Sequence, residues 1–147
     1  MSYKFIVALL AVALGAFLQV VVGNALGIWV NFALAALITT SFFVGVVELV
    51  ALILLSIFVL SWQPAPSFEI LVFGALPFVV FFIHKRFPFE PWLMSGISIL
   101  VGVLALSLVF GGSLLWNEPS IFLWDIAASV GFGAVVFWAF RSSANRV

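Results

Sequence analysis

Residues 27–62, GIWVNFALAALITTSFFVGVVELVALILLSIFVLSW, decide how the chain is read. The run is apolar throughout and carries one charge, Glu48, near its middle. As a single helix of 36 residues it would extend roughly 54 Å, at about 1.5 Å per residue. A bilayer core is about 30 Å thick, so one straight span cannot use that length. Two short spans can, with Gly45 and Glu48 at the turn between them. The one-span alternative puts Glu48 near the membrane centre, at a cost of at least roughly 2.5–3.5 kcal/mol.

The rest of the chain has the same character. Of 147 residues, 67% are hydrophobic and 7% charged, whereas a soluble domain carries about 25% charged residues. There is too little polar surface to coat a globule in water, so the chain reads as an integral membrane protein whose surroundings are the lipid bilayer. Continuous apolar runs make the spans helical, because a helix satisfies its own backbone in lipid. A barrel would instead alternate apolar and polar residues over segments of about ten. The fold class is therefore all-α, a single-domain polytopic bundle of about six transmembrane helices, with five as the alternative. Five basic residues balance five acidic ones, which argues against nucleic acid as a partner. With no cysteine in the chain, disulfides and thiolate metal sites are excluded.

The spans fall at about 5–22, 28–43, 46–62, 68–84, 92–110 and 120–140. The first follows Lys4, and its apolar part exceeds the usual 7–15 residues of a signal peptide, the rival reading. Gln19 within it suits a helix–helix hydrogen bond. Asn31, Thr39, Thr40 and Ser41 are the polar points of the second span. Pro64 and Pro66 stop the third, Pro77 should kink the fourth, and Gly111 and Gly112 end the fifth. With six spans, Lys4, Lys85, Arg86, Arg141 and Arg146 all fall on one side, which the positive-inside rule makes cytoplasmic, together with both termini. A single span over 27–62 would move Lys4 alone to the other side. Trp62, Trp92 and Trp116 stand at span ends, as interface anchors do.

Three acidic residues are candidate functional groups. Glu48 is a solvated charge at the cytoplasmic turn, a contact for a partner, or an ion pair to a basic loop residue such as Lys85 or Arg86. Asp125 lies about five residues into the sixth span, roughly 8 Å below its start. An intramembrane carboxylate faces the bundle interior or a cavity, so Asp125 either hydrogen-bonds near a helix start or lines an outward polar pocket with Glu69. Small residues recur at four-residue spacing in span six, Ala127 with Gly131 and Ser129 with Gly133, and let helices approach closely. Enzyme chemistry has little to work with. The chain has one histidine, His84, one tyrosine, no G-x-S-x-G and no phosphate loop. A lone histidine without a second ligand makes no metal site, and no cofactor is implied.

The segments NFALAAL (31–37), FFVGVVE (42–48) and LLSIFVLSWQPAPSF (54–68), with the basic patch His84-Lys85-Arg86 and a short proline loop after span four, resemble the rod shape-determining membrane protein MreD family. Val30 stands where that family often has proline, and Ser61-Trp62 where it often has aspartate. The resemblance implies a non-enzymatic scaffold subunit of the bacterial cell-elongation machinery in the inner membrane. Its expected partners are a bitopic MreC-like protein and wall synthases. The layout is also similar to that of the substrate-binding subunits of energy-coupling-factor vitamin transporters. A small transporter or substrate-binding subunit, using Asp125 and Glu69, is therefore the second expectation.

Overall fold

The computed structural model describes residues 3–27, 30–60, 68–87, 89–109 and 117–144. Trp62, Pro64, Pro66, Gly111, Gly112, Trp116 and Arg146 lie outside these residues. The described residues form α1 (Tyr3–Leu26), α2 (Phe32–Thr40), α3 (Val46–Leu60), α4 (Phe68–Arg86), α5 (Pro91–Val109) and α6 (Pro119–Ala144). No strand occurs among them. Four helices, α1, α4, α5 and α6, are long and apolar enough to cross a membrane, and α3 is a shorter apolar helix. The chain is an all-α, multi-pass membrane protein.

Helix α2 departs from the expected second span. It has nine residues rather than the sixteen of 28–43, so it is roughly 13.5 Å long at 1.5 Å per residue, less than half a bilayer core. It does not meet lipid. Every residue from Ala33 to Thr40 is 0% exposed, and α2 packs against all five other helices. A helix enclosed by protein need not match the bilayer thickness, and that releases the length constraint.

The enclosing helices make room with glycines. A Cβ at Gly15 of α1 would lie 2.9 Å from the Phe32 carbonyl oxygen. One at Gly102 of α5 would lie 2.9 Å from Ile38 Cδ1, and one at Gly133 of α6 would run into Ile99 Cδ1 and sit 3.2 Å from Thr39 Oγ1. Lipid is as apolar as the helices, so close approach and van der Waals contact hold such a bundle rather than a hydrophobic drive.

After Thr40 the chain turns through Ser41–Val44, and α3 runs back alongside α2. Phe42 and Phe43 N–H groups donate to Thr39 and Thr40 carbonyls at 3.3 and 2.9 Å. The turn lies against the C-terminal ends of α4 and α6. Phe42 meets the His84 ring at 4.8 Å between centroids, and Phe43 stacks on Phe140 at 4.5 Å. At the other end α2 begins beside Gln19, late in α1, and Asp125, early in α6. The start of α1, the α2–α3 turn, the end of α4 and the end of α6 thus share one end of the bundle. Lys4, Lys85, Arg86 and Arg141 are gathered there, and it is called the basic end below.

Pro77 lies inside α4 and is buried, yet the helix continues from Phe68 to Arg86. The bond lost at a helical proline is tolerated in membrane helices, where neighbouring groups re-satisfy the backbone. Gly74, one turn earlier, brings α4 onto Ile53 and Ile57 of α3.

Candidate functional site

Gln19, Asn31, Asp125 and Ser129 converge on the N-terminus of α2. A helix start presents backbone N–H groups with no partner in the helix and the positive end of its dipole. In a membrane interior those donors must be met by protein. Asp125, projecting from α6, meets them. The Asn31 backbone N–H donates to its Oδ1 at 2.9 Å and Asn31 Nδ2 donates to its Oδ2 at 2.8 Å. Ser129, one turn along α6, donates from Oγ to Oδ1 at 3.0 Å. Gln19 of α1 takes the next donor, the Ala33 N–H, on Oε1 at 3.1 Å. Two neighbouring helices therefore cap α2 from outside. Asp125 is buried, at 5% exposure.

The C-terminal end of α2 is closed in the same manner. Thr40 Oγ1 donates to the Leu37 carbonyl at 3.0 Å, and Ser41 Oγ to the Ile38 carbonyl at 2.6 Å. Thr39 Oγ1 and Ser95 Oγ of α5 lie 3.3 Å apart. Among the described residues no buried side-chain nitrogen or oxygen lacks a hydrogen-bond partner.

Of the two readings of Asp125, hydrogen bonding at a helix start is the one these contacts describe, although the helix is α2 rather than its own. Glu69 sits half-buried in the first turn of α4. Helix α4 packs on α5, α2 and α3, and the three hydrogen bonds at the Asp125 carboxylate come from Asn31 and Ser129. Glu48 is at the turn, as expected. Its Oε2 accepts the Gly45 N–H at 2.9 Å, the reach-back bond of a capping box from the third helical position, so it closes the start of α3. Lys85 stands over the Phe81 ring at 4.2 Å.

An apolar groove of 510 Å³ runs between α5 and α6, lined by residues including Trp92, Gly96, Ile97, Val130, Ala134 and Phe137. Sequence reasoning had singled out Gln19 and Asn31 as polar points without pairing Asn31 with Asp125. Their 94-residue separation leaves no local pattern to read. The glycines that admit α2 were legible only in part, through the Ser129–Gly133 spacing.

No protein-family model, curated protein or solved structure matches the chain.

Proposed function

We propose that the chain is a non-enzymatic scaffold subunit, MreD-like, of the bacterial cell-elongation machinery, placed in the inner membrane with both termini in the cytoplasm. One observation supports this reading above others. Among the described residues the buried Asp125, Ser129 and Thr39 side chains, with Gln19 and Asn31, are engaged around α2, and the groove between α5 and α6 is apolar. Such a body offers lateral helix faces to other membrane proteins. The gathering of Lys4, Lys85, Arg86 and Arg141 at one end fits a cytoplasmic face. The sequence resemblance supplies the system: a bitopic MreC-like protein and wall synthases as partners.

The second reading, a small transporter or substrate-binding subunit, draws on α2 itself. Transporter sites are commonly built at the ends of interrupted helices near mid-membrane, and α2 is a short helix enclosed by the others. In this chain Asp125 and Gln19 already fill that position. The test is a depletion strain complemented with wild-type chain or Asp125→Asn. The scaffold reading expects wider, rounded cells on depletion, rod shape restored by both versions, and co-purification of a bitopic partner. Normal shape on depletion, with solute uptake lost in Asp125→Asn, overturns it in favour of transport.

A further inference from the structure

The groove between α5 and α6 runs from Trp92 to Leu100 along α5, roughly 12 Å at 1.5 Å per residue. It therefore occupies the half of the bundle nearer the basic end. Two features set it apart from the remaining lipid-facing surface.

The first is charge. Glu90 lies two residues before Trp92, and Arg141 lies one turn beyond Phe137 on the same stripe of α6. Both are exposed. Neither has an ion-pair partner among the described residues. The basic end of the groove thus carries one acid, before α5, and one base, on α6. The second is shape. Gly15, Gly74, Gly102 and Gly133 each face a neighbouring side chain or backbone atom within the bundle, whereas Gly96 on one wall and Gly131 beside the other face open space. A helical glycine costs about 1 kcal/mol relative to alanine, and lipid offers nothing in compensation. A second helix does, by closer approach, and exposed Ala127, Gly131 and Ala134 continue that low surface along α6.

Copies of a multi-pass protein insert the same way up, so a closed pair has its two-fold axis along the membrane normal, and each contact occurs twice. Such a pair, seated on this face, sets α5 of each copy against α6 of the other at equal depth. Glu90 of each copy then meets Arg141 of the other. A lipid tail has no charge to match these groups.

We propose that the α5–α6 face is the interface of a homodimer, closed at its basic end by two Glu90–Arg141 contacts and drawn together over Gly131 and Ala134. This rests on the chain being membrane-embedded and not on the identity of any scaffold partner. The charges set register, since exposed ion pairs contribute little to affinity.

The 147 residues include no cysteine, so introduced thiols report contacts directly. In native membranes, a copy carrying Gly96→Cys co-expressed with a copy carrying Ala134→Cys should give a disulfide-linked dimer under mild oxidation, and Leu71→Cys, on the exposed side of α4, paired with Ala134→Cys should not. Gly131→Ile should lower the Gly96–Ala134 cross-linked dimer at least tenfold while the unfolding midpoint of the monomer is unchanged. Glu90→Arg and Arg141→Glu should each lower it severalfold, and the two together should restore it. The proposal is overturned by absence of the Gly96–Ala134 cross-linked dimer, by equal cross-linking from Leu71→Cys, or by failure of the paired reversal to restore it. A monomer that retains lipid in the groove, or a different protein captured at Ala134→Cys, overturns it equally. A monomeric chain that still maintains rod shape refutes the dimer alone. A dimer in cells whose shape is independent of the chain refutes the scaffold reading alone.

Discussion

Asp125 separates a role in capping from a role in charge. Replacing it with alanine removes the acceptors of two bonds that tie α2 to α6, from the Asn31 N–H at 2.9 Å and Asn31 Nδ2 at 2.8 Å. The Ser129 hydroxyl loses its acceptor too, but a serine in a helix can turn to the carbonyl one turn back, so that bond is replaced locally. Inter-helix hydrogen bonds in membranes average about 0.6 kcal/mol and reach about 1.7. Two of them give a destabilisation of about 1–3 kcal/mol. Asparagine behaves differently. Its carbonyl oxygen still accepts the Asn31 N–H, and the Asn31 amide turns over so that its own oxygen accepts from the new NH₂ group. The loss for Asp125→Asn should therefore stay below about 1 kcal/mol. The measurement is the unfolding equilibrium in mixed detergent micelles, followed by helicity, for wild type and both variants. Equal losses for alanine and asparagine, or no loss for alanine, would refute the capping role.

The glycines around α2 make graded predictions, read by the same unfolding assay. Gly15→Ala should be more damaging than Gly102→Ala, since the first meets the Phe32 backbone carbonyl, which cannot yield, and the second meets the flexible end of Ile38. The reverse order would show that the Gly15 contact relaxes. Gly133→Ala should cost about 1–3 kcal/mol by overpacking, and adding Ile99→Val, which removes the Cδ1 atom in the way, should recover part of that. At the turn, Glu48→Ala should lose about 0.5–1.5 kcal/mol with the Gly45 N–H bond, and Glu48→Gln much less, because the amide oxygen still accepts. Equal effects of the two Glu48 changes would point to the charge instead.

Much of the bundle was legible because hydropathy reports what lipid requires. Span five, expected over 92–110, is Pro91–Val109, and span three, expected from 46, begins at Val46. The Gly45–Glu48 turn was legible too, because its bond closes over three residues. Helix α2 was not, since hydropathy cannot distinguish a helix facing lipid from one facing only protein. The segment 28–43 is uncharged and mostly apolar, but only the enclosing glycines and the distant carboxyl group explain why its helix is confined to Phe32–Thr40. Asp125 itself was recognisable as an anomaly, a carboxyl group within a span. Its role was not, because the partner that explains it is brought near only by the packing of α6 on α2.

The enclosure of α2 also constrains how the protein is made. Asn31 emerges from the ribosome 94 residues before the carboxyl group that caps it, which is roughly 5–19 s at about 5–20 residues per second. Throughout that interval a nine-residue helix, too short to cross alone, lacks the wall that α6 will provide. Its final lodging is therefore a late, post-translational event. Nascent chains stalled before residue 125 should leave α2 open to proteases and quality control, and completion of α6 should end that exposure.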